Sequence, residues 1–296
     1  MARIALIGPG AIGGTAAGAL LQTGRHDLAI CANRRFDKLT VTRSDSGEAL
    51  SWPAKVVTRP DEVSPMDWVL LAVKSHQTAG AGDWLKATVG PNTKLAVLQN
   101  GVEHRERVRP LVPPSAPIVP VVVQMPAQRT APGEIATYGQ TLLIVGDDVA
   151  SREFAALFDG SSMKVQTDAD FHTREWEKLC LNAASGSLIT LTMNPDCIAT
   201  TPGMRDLCKA IVDECIAVGR ADGATFADGF AENLTTMLAA RTGNRGNSMY
   251  YDRRDGKKLE WDARNGVIVR LGKKYGVPTP VSDVLVPLLR ALDPKP

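Results

Sequence analysis

The sequence predicts an α/β domain built on a parallel sheet, followed by an all-helical domain that begins near residue 169. Three observations carry this. Over the first half, short apolar runs alternate with polar, helix-compatible stretches, the pattern of strands buried on both faces and joined by helical crossovers. After about Asp168 strand signals stop and helical patterns take over. Pro195, Pro202, Gly203, Gly223, Gly276 and Pro278 punctuate that second half as helix ends and loops.

Each element has its own signal. Ala2 to Gly8 is a short apolar run closed by glycine, which reads as a buried parallel strand. Ala11 to Leu21 follows as a helix rich in small residues, with Gly24 as candidate C-cap. His26 to Asn33, Asp67 to Val73, Lys94 to Gln99 and Ile118 to Gln124 read as further strands, with helix-compatible stretches between them. Glu134 to Gly146 is strand-rich and is expected to close the sheet in antiparallel fashion. Helices are expected over Trp176–Leu191, Met204–Ala221, Phe230–Arg241, Leu259–Tyr275 and Val281–Leu292. The domains are therefore placed at 1–168 and 169–296, hinged near Asp168–Phe171, with no internal repeat or low-complexity tract.

Composition narrows the function classes. The chain has 296 residues and a formal net charge of +2, from 34 basic and 32 acidic residues. That balance gives no electrostatic footprint for nucleic acid or an anionic membrane, while small acidic metabolites stay open as ligands. No apolar run approaches the roughly 20 residues needed to span a bilayer. Met1 to Leu21 is apolar, but its fixed-offset glycines mark mature structure rather than a signal peptide. Cys31, Cys180, Cys197, Cys208 and Cys215 form no CxxC pair, and only four histidines accompany them. They read as reduced, mostly buried thiols of a cytoplasmic protein without a metal site.

The strongest local motif is Gly8-Pro9-Gly10-Ala11-Ile12-Gly13, between a predicted strand and a predicted helix. This is the G-x-G-x-x-G fingerprint of a Rossmann dinucleotide-binding domain. The first glycine permits the tight turn, the second lets backbone approach a pyrophosphate, and the third allows close helix–strand packing. The free N–H groups of the helix start then face the phosphates. The end of the second strand selects the dinucleotide. It reads Cys31-Ala32-Asn33-Arg34-Arg35, with no carboxylate for a ribose 2′-hydroxyl and two guanidiniums for a 2′-phosphate, which favours NADP over NAD. The glycine pattern by itself also admits FAD.

In the second half Lys178, Asn182 and Gly186 fall on one helix face. A lysine can donate a proton and an asparagine can orient a substrate oxygen, but a lysine on a helix is ordinarily a solvated one. Glu260 and Arg264 are equally open to reading as a surface i, i+4 ion pair.

Six motifs in order give those residues a context: the glycine turn, Val73-Lys74-Ser75-His76-Gln77, Gln99-Asn100-Gly101-Val102, Trp176-Glu177-Lys178 with Asn182, Asn247-Ser248-Met249-Tyr250, and Leu259-Glu260. In order and spacing, over nearly the whole chain, they resemble the ketopantoate reductase (2-dehydropantoate 2-reductase) family. The resemblance implies NADPH-dependent reduction of a 2-keto acid, with ketopantoate, of pantothenate biosynthesis, as leading substrate. It implies Lys178 as general acid, Glu260 holding or tuning it, Asn100, Asn182 and Ser248 on the substrate, with Ser248 at its carboxylate. It places Gly8, Gly10, Ala11, Ile12, Gly13, Arg34, Lys74, Gln77 and Asn100 at the NADP cofactor, and the reaction in a cleft between the domains. A homodimer through the helical domain is implied as well. The chain departs from the family pattern at Gly186, where an asparagine is usual, and at Asp196, which stands for another. Gly186 removes an amide and is expected to open space for a bulkier or differently charged keto acid. The same residues leave open a β-hydroxyacid-type dehydrogenase, which pairs lysine and asparagine similarly, and a non-catalytic NADP sensor.

Overall fold

The structure, a computed structural model, describes residues 1–294 except 242 and 244. The chain divides into two compact units, Met1–Phe171 and His172–Pro296.

The first unit contains all thirteen strands found among the described residues. Its first half holds β1 (Arg3–Ile7), α1 (Ala11–Thr23), β2 (Asp27–Cys31), β3 (Lys38–Arg43), β4 (Ala49–Pro53), β5 (Val56–Val57) and β6 (Trp68–Leu71). Then come α2 (Gly82–Thr88), β7 (Lys94–Val97), α3 (His104–Val108), β8 (Ile118–Pro120) and β9 (Val122–Gln124). The unit ends with β10 (Ala127–Ala131), β11 (Glu134–Thr137), β12 (Leu142–Val145), α4 (Val149–Ala156) and β13 (Lys164–Thr167). Six strands form one parallel sheet in the order β5-β2-β1-β6-β7-β8. Outward from β1 the chain fills one side and then the other, the doubly wound order of a Rossmann domain, so the topological switch lies between β1 and β6. Ile4, Leu6, Ile30, Leu70 and Ala96 fill the core on one face of this sheet, and Ala5, Val69, Leu71, Leu95 and Val97 on the other.

The expected closure by Glu134–Gly146 does not occur. That stretch is two strands in two further sheets. β11 pairs parallel with β3 and antiparallel with β10, and β12 pairs antiparallel with β9 and parallel with β13. Gly139, at φ +74, lies between them, a left-handed conformation that suits glycine and ends the first strand. Ile118–Gln124 likewise splits: β8 is the edge of the parallel sheet, and β9 belongs to the sheet of β12. Pro120, with no N–H to give, is compatible with that edge. The β3–β4 hairpin, in a stretch expected to be helix-compatible, covers α1. A Cβ on Gly14 would meet Ile135 at 2.5 Å and one on Gly18 would meet Val41 at 2.6 Å. The small residues of α1 thus serve close helix–sheet packing.

The second unit is helical among its described residues. It runs α5 (Phe171–Thr192), α6 (Cys197–Thr200), α7 (Met204–Ala221), α8 (Phe230–Ala239), α9 (Ser248–Arg254), α10 (Val267–Tyr275) and α11 (Pro280–Arg290). α5 is its axis, burying Trp176, Leu179, Cys180, Ala183, Ala184 and Leu188. The helix expected from Leu259 begins later: Asp262–Gly266 is a π-helical turn leading into α10, so Glu260 precedes the helix. Among the described residues no helix is long and apolar enough to cross a membrane.

Candidate active site

In the first unit the predicted dinucleotide residues follow the C-terminal ends of parallel strands and so share one edge of the sheet. Gly8–Gly13 follow β1, Arg34 follows β2, Lys74 and Gln77 follow β6, and Asn100 follows β7. Each glycine of the turn answers a different constraint. Gly8 has φ +92, and a Cβ there would lie 2.6 Å from the Val73 side chain and 2.9 Å from its backbone nitrogen. A Cβ on Gly13 would run into the carbonyl oxygen of Gly8 and the side chain of Ala72. Gly10 is different: a Cβ there meets nothing within 4 Å. No protein atom requires glycine at 10, whereas a pyrophosphate lying against the start of α1 would. The turn fits a dinucleotide, with the N–H groups of Ala11, Ile12 and Gly13 lacking intrahelical acceptors as the first residues of α1.

The two arginines after β2 part company. Arg35 donates to Glu62 Oε2 at 2.7 Å and to the Val56 carbonyl at 3.3 Å. Arg34 is exposed and makes neither a hydrogen bond nor an ion pair with a described residue. Past β6, the Lys74 backbone N–H donates to Gln77 Oε1 at 3.2 Å, which curls the segment into a short turn. Past β7, Gly101 takes φ +113. Gln99 anchors this loop: its Nε2 donates to the Val73 carbonyl at 3.0 Å, and its own carbonyl is 2.9 Å from His104 Nε2. Asn100 is thereby held between a fixed side chain and a turn that favours glycine.

The second unit assembles a polar cluster on α5, α9 and the π turn. Asn182, Glu260 and Arg264 are buried, and Lys178 is partly so. α9 is strapped to α5. Asn247 caps α9 by accepting from Tyr250 N at 3.0 Å and donates from Nδ2 to the Ser185 carbonyl at 2.8 Å. Arg253 donates to the Thr190 carbonyl at 2.5 Å. This fixes Ser248 at the first position of α9, where its Oγ accepts from Arg264 Nη2 at 2.7 Å. Glu260 Oε2 lies 3.9 Å from the same Nη2. Lys178 makes no hydrogen bond or ion pair with any described residue. Burial, with the positive charges of Arg264 and Arg241, pushes its ammonium from 10.5 down to about 8. A lysine so placed holds its proton at neutral pH and releases it readily, as a general acid for a carbonyl must.

Arg264, which the sequence leaves as an ordinary i, i+4 partner of Glu260, belongs to this cluster. It is not half of a surface ion pair: both it and Glu260 are only 2% exposed. Nor is the space at Gly186 open. A Cβ on Gly186 would come within 2.9 Å of Arg264 Nη1, so the guanidinium fills the volume that the glycine leaves. Asp196 has a partner too, accepting from the Gly243 N–H at 3.0 Å. The signal for Arg264 was present in the sequence, as an arginine one turn after Glu260 and a glycine two turns after Lys178, but nothing in the sequence joins 186 to 264.

The profile described as "Ketopantoate reductase PanE/ApbA" matches residues 4–148, and its C-terminal counterpart matches residues 170–293. The chain is 40% identical over 293 residues to a 2-dehydropantoate 2-reductase of Caulobacter vibrioides, covering 98% of this chain and 99% of that one. The 2-dehydropantoate 2-reductase structure from Geobacter metallireducens superposes with TM-score 0.88 at 29% identity, covering 98% and 99% of the two chains. A dimeric ketopantoate reductase from Staphylococcus aureus gives TM-score 0.87 at 25% identity, covering 98% of each.

Proposed function

The chain belongs to the ketopantoate reductase family, and from that premise we propose that it reduces ketopantoate to pantoate with NADPH. The observation that carries the chemistry is Lys178, a proton donor without a hydrogen-bond or ion-pair partner among the described residues, held near pH 8 on the helix face that also bears Asn182. When bound, the reduced nicotinamide supplies hydride to the keto carbon. The ketone oxygen then takes up the pair of electrons released from the C=O bond, and Lys178 Nζ delivers the proton that makes it a hydroxyl. Asn182 orients that oxygen and the lysine, and Asn100 stands with the cofactor residues of the first unit. Ser248 receives the substrate carboxylate. Glu260 offsets the cationic charge of the cluster, standing 3.9 Å from Arg264.

For the dinucleotide, Gly8, Gly10 and Gly13 with the N–H groups of Ala11 and Ile12 receive the pyrophosphate, and Lys74 and Gln77 flank it. Arg34 takes the 2′-phosphate. Its guanidinium has no hydrogen-bond or ion-pair partner among the described residues, while that of Arg35 is engaged by Glu62, and this supports NADPH over NADH. The first unit is thus the NADP-binding domain, and the second carries the substrate groups. The five free, buried thiols suit the reducing interior of a cell, where we place the enzyme. We also carry over the homodimer, through the helical unit, where Val284 and Leu288 stand exposed one turn apart on α11.

The test is NADPH oxidation at 340 nm with ketopantoate, with Lys178→Ala as control. Turnover that prefers NADPH to NADH and is lost in the variant supports the reading. NADPH binding without turnover of ketopantoate or any other 2-keto acid overturns it.

A further inference from the structure

The geometry points to Arg264 as the carboxylate anchor of this chain, a substrate-binding guanidinium seated in the volume that Gly186 leaves and gripping the keto acid together with Ser248. This rests on the reductase reading above and adds to it a residue that sets substrate charge specificity.

A guanidinium carries five N–H donors and stays charged under all ordinary conditions. Buried to 2% exposure, it should have those donors matched, because an unmatched buried cation is costly. Among the described residues Arg264 makes one side-chain hydrogen bond, from Nη2 to Ser248 Oγ. The Glu260 carboxylate at 3.9 Å is an ion pair, too long for a hydrogen bond. Nε is buried and has no acceptor among the described residues. Nη1 points toward Gly186, where only a hydrogen occupies the place of a side chain. The site therefore keeps a planar cation with free donors beside a hydroxyl that can turn its own hydrogen to the same ligand. The ligand that matches is a carboxylate, which a guanidinium can bind through two parallel hydrogen bonds. Glu260 and Asp252 already act on the charge, so what the site leaves over is donors, and a hydroxyl or carbonyl would satisfy fewer of them than a carboxylate.

Gly186 and Arg264 are then one device. Any side chain at 186 would press on Nη1 from 2.9 Å or less, and the guanidinium is too enclosed to swing away freely. An amide at 186 and an arginine at 264 are alternatives for the same volume, and this chain uses the arginine.

The experiment measures kcat/KM with NADPH for three substrates: ketopantoate, its neutral methyl ester, and 2-ketoisovalerate, which keeps the carboxylate and lacks the hydroxymethyl group. It is run on wild type, Arg264→Gln, Arg264→Leu and Gly186→Ala. The readout is the acid-to-ester ratio within each enzyme, from which any inactive fraction cancels; NADPH binding, followed by fluorescence, reports the intact first unit. Arg264→Gln and Arg264→Leu are expected to lower the acid-to-ester ratio about 10²-fold, the usual consequence of losing a charge-assisted anchor. Gly186→Ala, which displaces the guanidinium without removing it, is expected to lower the ratio about tenfold. The ketopantoate-to-ketoisovalerate ratio should hardly move. If wild type prefers acids and the Arg264 variants keep that preference, or lose instead the discrimination for the hydroxymethyl group, the anchor assignment falls and the reductase reading stands. If wild type reduces no 2-keto acid, both fall.

Discussion

Replacing Lys178 by methionine should make the protein more stable and leave it nearly inactive, and both effects follow from the same surroundings. The fold brings the ammonium from 10.5 to about 8 by withholding water and by presenting Arg264 and Arg241. At about 1.4 kcal/mol per tenfold change in proton affinity, holding the charge costs about 3 kcal/mol at neutral pH, an upper figure because some water still reaches the side chain. Methionine matches the lysine stem in length and leaves no charge to desolvate. The sign with pH is fixed. Below pH 8 both folded and unfolded chains carry the proton, so the cost is present in full. Between about 8 and 10.5 the unfolded chain still binds it and the folded one does not, so wild-type stability rises with pH and the cost fades. Calorimetry of wild type and Lys178→Met at pH 6 and pH 10 should show the variant melting about 5–10 °C higher at pH 6 and with little advantage at pH 10. Its kcat should fall by about 10² to 10⁴. A variant that melts no higher at pH 6, or gains equally at both pH values, would refute the account of Lys178 as a strained cation.

On the proposed mechanism the same proton governs rate. For reduction, kcat/KM should be flat below about pH 8 and fall tenfold per pH unit above it, and the reverse oxidation should rise through the same point. In Arg264→Leu the inflection should move upward, because a repelling positive charge has gone; an unmoved inflection in pH-rate profiles would show that Arg264 does not act on Lys178. Arg34→Ala should raise KM for NADPH about 10- to 100-fold while sparing NADH, and Arg35→Ala should leave the ratio of the two nearly unchanged. The glycine turn gives a contrast in binding and melting. Gly10→Ala meets no protein atom, so the apo-protein should melt as wild type while NADPH binding weakens at least tenfold by fluorescence titration. Gly13→Ala drives a methyl into the Gly8 carbonyl and should lower both, with a stability loss of about 1–3 kcal/mol.

The parallel sheet and the longer helices of the second unit were legible in the sequence because they rest on local signals, whereas the short α6 and α9 were not expected. β6 is an apolar run and β1, β2 and β7 are apolar after a single charged first residue, and α7 and α11 carry a strong helical period. The two smaller sheets were not legible, for a physical reason. β3 and β4 are partly to largely exposed and mixed in polarity; they pair with each other as a hairpin, and β3 is joined to the rest of its sheet only through β11, some ninety residues away. A strand whose partner is remote leaves little trace in its own composition. Glu134–Gly146 shows the complementary error: its strand content was readable, but which sheet each half joins depends on β3 and β9, not on itself.

The same distinction separates the readable part of the site from the rest. A fixed local motif, such as the glycine turn with Gly10, can be read from spacing, and spacing also puts Lys178 and Asn182 on one face of α5, although the roles proposed for those two rest on the family resemblance. Arg264 cannot, because its meaning depends on Gly186, on a helix 78 residues earlier, and on Ser248, which is held in place by Asn247 and Arg253 gripping α5. Taken singly, Gly186 is a lost amide and Arg264 a surface ion. Taken together they exchange one polar group for another in the same volume, and the exchange replaces a neutral donor by a charged one. A site altered in this way should bind a carboxylate more firmly and also hold Lys178 at a lower proton affinity, since one guanidinium serves both ends. That coupling is why the acid-to-ester ratio and the pH inflection are expected to move together in the Arg264 variants. A variant that moved one without the other would separate the two roles.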